Sequence, residues 1–213
     1  IVFGGFVRLT RSGLSIVEWE PVTGVVPPIR DDAWQDAFTE YQRSPEFEKV
    51  NSAMTLDEFR RIFLIEWVHR LVARLAGFAY ALPFAYFAIR RRIPRRDLGI
   101  YVAMGSLFVL QAVAGWVMVA SGLKDRPSVS HFNLAVHLVL AFTLLGLALW
   151  TALDHRAAVA ATATTTATST APSDRPKWSR PSGLAAAFVG LLAVQVLYGG
   201  FTAGLKAGHV SDT

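Results

Sequence analysis

Glu66, Trp67, Val68, His69 and Arg70 follow one another near the start of a long apolar run. A carboxylate, an imidazole and a guanidinium are each costly inside a membrane segment, so their joint presence there marks a site. Glu66 and His69, three residues apart, share one helix face. A second histidine, His137, lies in a later apolar run. His69 is about 20 residues, roughly 30 Å at helical rise, from the basic end of its run, and His137 about 16 residues, roughly 24 Å, from the corresponding end of its own. Two imidazoles at matched depth on two packed helices are what a haem iron, or another metal, needs.

Each residue also has a plainer use. Either histidine could merely bond a neighbouring helix. Glu66 could orient an imidazole, move protons or position a substrate, or simply pair with Arg70 one helical turn on. Arg70 and Arg74 flank the site and suit anionic groups such as haem propionates, although Arg74 could instead reach for the membrane interface. His131 stands at a helix start and His155 beside a linker, while His209 falls in a solvated tail; none of the three is assigned a role. Gln111 and Gln195 are expected to bond between helices, and Gly77, Gly105 and Gly115 to mark close packing.

The elements that position these residues are membrane helices. Apolar runs cover about 62–89, 98–120, 132–153 and 183–204, each long enough to cross a hydrocarbon core of ~30 Å. Residues 1–7 read as the end of a further span, so the sequence reads as a fragment that begins inside a helix. The expected fold is an all-α polytopic membrane protein: a four-helix transmembrane bundle with an extra-membrane cap. With no cysteine among 213 residues, disulfides, thiolate metal sites and iron–sulfur ligation are excluded. The net charge of +5 does not indicate nucleic acid, because Arg90, Arg91, Arg92, Arg95 and Arg96 form one short cluster between two spans, the signature of a cytoplasmic loop.

That cluster fixes the expected topology. The segment 8–61, with ten of the sixteen acidic residues and seven basic ones, lies outside. Its aromatic residues and turn signals predict an ordered cap, with short helices over 31–43 and 55–61. Spans within 62–153 complete the first bundle. Residues 154–181 form a cytoplasmic linker whose Ala/Thr tract, 157–172, reads as flexible. Residues 182–213 form the first helix of a second bundle. A weak internal repeat supports this: Gly4, Gly5, Phe6 and Gly13 recur as Gly199, Gly200, Phe201 and Gly208.

The chain resembles the haem A synthase family in its mitochondrial and alphaproteobacterial form. The resemblance runs through GGFVRLTRSGLS at 4–15, Trp19 to Gly24, Pro27 and Pro28, Tyr41, Pro45 to Phe47 and Met54 to Phe59. It is strongest at IFLIEWVHRLVAR, 62–74, and continues in QAVAGWVMVASGL at 111–123, VSHFNLAVHL at 129–138 and GGFTAGLKAGHV at 199–210. It implies two tandem four-helix bundles and oxidation of a ring methyl of haem O to the formyl of haem A, with oxygen from water. His69 and His137 then match the iron-binding histidines of the substrate half, Glu66 the essential carboxylate, and Arg70 and Arg74 the propionate contacts.

The family's second histidine pair, which holds haem b, belongs to spans six and eight, beyond this sequence, and the chain alone is expected to be inactive. The implied setting is the cytoplasmic membrane, or the mitochondrial inner membrane. The implied partners are haem O, lipid, haem O synthase, an electron donor and a second copy of the chain; nucleic acid is not among them. The rival reading is a non-catalytic bis-histidine cytochrome b that passes electrons from quinol. Glu66 separates the two, since electron transfer needs no carboxylate beside a ligand. A haem-free structural subunit is the third possibility.

Overall fold

The computed structural model describes residues 1–20, 23–124, 127–165 and 180–205. All its regular elements are helical: α1 (Val2–Leu9), a 3-10 turn (Thr23–Val25), α2 (Asp31–Gln42), α3 (Pro45–Lys49), α4 (Leu56–Ile89), α5 (Arg95–Gly122), α6 (His131–Thr165) and α7 (Arg180–Gly204). Four helices are long and apolar enough to cross a membrane: Leu56–Ile89, Arg95–Gly122, His131–Ala160 and Gly183–Gly204. The chain is a multi-pass membrane protein. Many large apolar side chains on these helices are exposed, Leu82, Val109, Trp150 and Leu191 among them, as a lipid-facing surface requires.

α4 begins earlier than its apolar run. Thr55 caps it: the Thr55 Oγ1 accepts from the Glu58 N–H at 3.4 Å, and the Glu58 carboxylate accepts from the Thr55 N–H at 2.8 Å. This reciprocal box satisfies two end donors and starts the helix six residues before the membrane. The short helix expected over 55–61 is therefore the first two turns of α4, while the one expected over 31–43 is α2. The Ala/Thr tract also differs from expectation. Its first part, through Thr165, continues α6, because alanine is the best helix former and nothing before 165 breaks the pattern; residues 166–172 lie outside the described residues.

The cap is built on aromatic packing. Trp34, Phe38 and Tyr41 from α2 close over Phe59 and Phe63 on the first turns of α4, with Phe47 from α3 at their edge. Arg60 ties the group down, lying 5.4 Å from the Trp34 ring and donating to Asp31 at 2.8 Å. The long helices pack in series, α4 on α5, α5 on α6 and α6 on α7, while α1 lies on α4. The α6–α7 seam is closest at the cap end. A Cβ on Gly200 would meet Ala135 at 3.0 Å, Gly204 lies against the backbone of His131, and Phe201 meets Phe132 edge-on. Small residues one turn apart let the two backbones approach. His131 is thus a packing residue of this seam.

Candidate functional site

Glu66 accepts five hydrogen bonds, and it is buried to 2 % exposure. One carboxylate oxygen accepts from the Ser15 N–H (2.9 Å), the Ser15 hydroxyl (2.7 Å) and the Ile16 N–H (3.0 Å). The other accepts from the Arg70 Nε–H (3.1 Å) and Nη2–H (2.6 Å). Arg70 also donates to the carbonyls of Ile16 (3.0 Å) and Glu18 (3.4 Å). One turn further, Arg74 donates to the carbonyls of Gly24 (3.2 Å) and Glu20 (2.7 Å). Three charged residues on one face of α4 therefore hold the segment after α1 by its backbone. The same segment reaches α5, with Leu14 against Gly122 and Trp19 against Trp116 at 6.1 Å. It straps α4 to α5.

The pairing of Glu66 with Arg70 is therefore real, and it is one part of a larger network. Charge-assisted bonds of this kind, shielded from water, are among the stronger polar contacts available. Arg74 holds the strap by the Gly24 and Glu20 carbonyls.

Each candidate histidine lies against a glycine of a neighbouring helix. His69 stacks on Phe3 of α1 (6.0 Å, 7° between planes), and a Cβ on Gly4 would stand 3.3 Å from its Nε2. The His137 ring lies over Gly115 of α5, where a Cβ would stand 3.1 Å from Cε1. The His137 Nε2 is 3.2 Å from the Gln111 side-chain amide nitrogen, while the Gln111 Oε1 and the His137 Nδ1 are buried without a partner. Among the described residues, no three His, Asp or Glu side chains gather as a metal site. A pair of imidazoles suits an iron that arrives with its four equatorial nitrogens already in place, as a porphyrin's does, and a bare ion would lack ligands. Buried polar atoms left unpaired beside His137 fit a site made for a further polar partner.

The cap end also carries an acidic rim. Burial, and then the Glu18 carboxylate, hold the Glu40 carboxyl above its ordinary range, with Arg43 opposing. Burial pushes the Tyr41 phenol up to about 12, against the Asn51 amide that donates to it at 2.7 Å.

The other expectations divide. Gly115 is a close-packing point, and Gly105 lies in ordinary contact with Tyr80 at 3.4 Å, but Gly77 has open space where a Cβ would go. Gln111 bonds between helices, whereas Gln195 is exposed and makes no such bond among the described residues. His155 is not idle: its Nε2 lies 2.6 Å from the Tyr101 hydroxyl, joining α6 to α5. His209 lies outside the described residues. Reading the sequence alone missed Ser15, whose Glu66 contact spans 51 positions, and Gly4, whose role depends on the α1–α4 approach.

The family model described as cytochrome oxidase assembly protein matches residues 1–213. Among curated proteins, the chain is 43 % identical over 217 residues to a protein named "Heme A synthase" from Maricaulis maris, covering 100 % of this chain and 58 % of that protein. It is 41 % identical over 213 residues to the like-named protein of Parvibaculum lavamentivorans, covering 100 % of this chain and 58 % of the relative. It is 40 % identical over 216 residues to that of a Wolbachia pipientis strain from Culex pipiens, with 99 % and 60 % covered. The chain thus spans about three-fifths of the length of these relatives. No solved structure matches it. The chain belongs to the cytochrome oxidase assembly protein family.

Proposed function

We propose that this member of the cytochrome oxidase assembly family supplies the substrate-binding half of a haem A synthase, in a cytoplasmic or mitochondrial inner membrane. The observation that carries the reading is the imidazole pair, His69 on α4 and His137 on α6, each seated over a glycine of the adjacent helix, with no group of three His, Asp or Glu side chains among the described residues. The substrate is haem O. The net change is R–CH3 + H2O → R–CHO + 4 H⁺ + 4 e⁻. No side chain here can accept those electrons, and haem b, held by a second bundle, supplies that redox chemistry when bound.

This chain's residues position and solvate. His69 and His137 would hold the substrate iron. Arg74, with Arg70 behind it, serves the propionates at the cap end, where both guanidiniums gather carbonyl oxygens. Glu66 has two linked roles. Its bonds to Ser15 and Ile16 fix the strap, and its charge beside His69 serves the protons released as the methyl is oxidised. The cap residues 8–61 face the outside and the Arg90–Arg96 turn faces the cytoplasm. Labelling of single cysteines at 35 and 93 by an impermeant reagent in spheroplasts tests that topology; reaction at 93 and not at 35 reverses it. The full-length enzyme acts with haem O synthase as the source of its substrate, and no observation favours the cytochrome b reading.

The decisive pair of variants in the full-length enzyme is Glu66→Gln and His69→Ala, read by chromatography of membrane pigments. Glu66→Gln retains haem O and makes no haem A, because it keeps size and loses charge. His69→Ala loses substrate loading itself. Normal haem A production by Glu66→Gln leaves Glu66 a strap anchor only and refutes its part in turnover.

A further inference from the structure

At the end of the bundle opposite the cap, a cavity of about 590 Å³ opens between α4 and α5. Its wall is aromatic: Phe84 and Phe87 of α4 and Tyr101 of α5 line it. Its mouth carries two arginines, Arg92 and Arg96, and one carboxylate, Asp97, and so is net basic. We propose that this cavity binds an anionic diacyl phospholipid, with its phosphate between Arg92 and Arg96 and the upper part of one acyl chain against Phe84 and Phe87.

The backbone is shaped to put the arginines there. α4 ends in a two-bond turn: the Arg91 N–H donates to the Ala88 carbonyl (2.9 Å) and the Arg92 N–H to the Phe87 carbonyl (2.9 Å). Arg91 takes the left-handed conformation, φ 50°, at the position glycine usually fills. A side chain that tolerates this strain keeps the turn cationic and projects Arg92 over the mouth. Pro83, also in the lining, has no N–H to give the Ala79 carbonyl, so the helix is weakened at the floor of the cavity.

Charge and polarity select the ligand. Among the described residues no carboxylate pairs with Arg92, and Arg96, 80 % exposed, meets Asp97 only at 3.5 Å. Guanidiniums favour phosphate oxygens, and juxtamembrane basic clusters favour anionic lipid. A free phosphate would gain nothing from the aromatic wall. The neutral polar groups of the wall are already bonded, the Tyr80 hydroxyl to the Tyr101 carbonyl and the Tyr101 hydroxyl to His155 Nε2, so the donors left are the cationic guanidiniums, which favour an anion over a neutral quinone carbonyl. The volume holds a headgroup and part of one chain, within the usual size of a small-molecule site.

The test is thermal unfolding and native mass spectrometry of the full chain in neutral detergent, with phosphatidylglycerol, phosphatidylcholine, inorganic phosphate or a short-chain quinone added. Phosphatidylglycerol is expected to raise the unfolding midpoint and remain bound, while the other three do neither. The double variant Arg92→Gln with Arg96→Gln is expected to bind phosphatidylglycerol about tenfold more weakly, the worth of roughly one charge-assisted contact. Ala79→Phe, which fills the cavity without changing charge, is expected to weaken it as well, and Arg30→Gln on the cap is expected to leave it unchanged. Equal stabilisation by phosphatidylcholine, a response to phosphate or quinone alone, or retention of phosphatidylglycerol by both cavity variants would overturn the proposal. Neither readout requires haem or turnover, so the result stands apart from the proposed activity.

Discussion

His69 and His137 are seated by the same steric device and held by opposite chemistry. Each ring lies over a glycine, Gly4 of α1 for the first and Gly115 of α5 for the second. His69 stands within a charged network: Glu66 and Arg70 are its near neighbours on α4, and through Ser15 they reach the strap that follows α1. His137 meets Gln111 of α5, whose neighbouring residues over 107–120 are apolar or small. His69 is seated by α1, and the strap that follows α1 is tied to α4 by long-range bonds, whereas His137 is seated by one helix–helix contact. Damage to the strap should reach the first imidazole and spare the second.

The largest expected effect is on the charged side. Glu66→Ala deletes the acceptor of five bonds and leaves Arg70 without its counter-charge, and breaking a buried pair in this way costs about 3–5 kcal/mol. Chemical denaturation should show that loss, and limited proteolysis should cut within 8–25. An intact strap in this variant would break the comparison. Next come the glycines. Gly115→Ala places a Cβ 3.1 Å from the His137 ring, and Gly4→Ala places one 3.3 Å from the His69 Nε2. Overpacking of this order costs about 1–3 kcal/mol. Porphyrin titration followed in the Soret band should show weaker binding in both, more so in Gly115→Ala, since the short α1 can shift and the long α5 cannot. The reverse order would show α1 to be the more rigid partner.

Gln111→Leu is smaller and opposite in sign. The Gln111 amide competes for the His137 Nε2, and a hydrogen bond is worth about 1 kcal/mol net. Its loss should tighten porphyrin binding roughly fivefold by the same magnitude. Weaker binding would mean that Gln111 orients the ring and does not compete for it.

The smallest effect lies in the cap. The Tyr41 phenol, neutral in the fold with a pKa pushed up to about 12, ionises more readily once unfolded. Its contribution is complete below pH ~10, the unfolded value, and is lost as pH rises from there through about 12. Unfolding of the cap followed over that range should steepen with alkali, and Tyr41→Phe should flatten the slope.

Membrane helices were legible because a run of apolar residues needs no partner to declare itself, and His69 and His137 stood out because ionisable groups within such runs are rare. The extent of α4 was not, since the Thr55–Glu58 box that starts it lies outside the apolar run. The work of the arginines was hidden as well. Arg70 and Arg74 bind backbone carbonyls of Ile16, Glu18, Glu20 and Gly24, and a carbonyl leaves no mark in a sequence. The contact of His155 with Tyr101 was missed because it joins two helices 54 positions apart without a motif.

The central claim, that His69 and His137 together clasp one porphyrin iron, is tested most directly by electron paramagnetic resonance of the ferric porphyrin-loaded full-length protein. A low-spin signal for this site should turn high-spin in His69→Ala and, separately, in His137→Ala, because either change leaves the iron with a single imidazole. A low-spin signal for this site that survives in either single variant would contradict it.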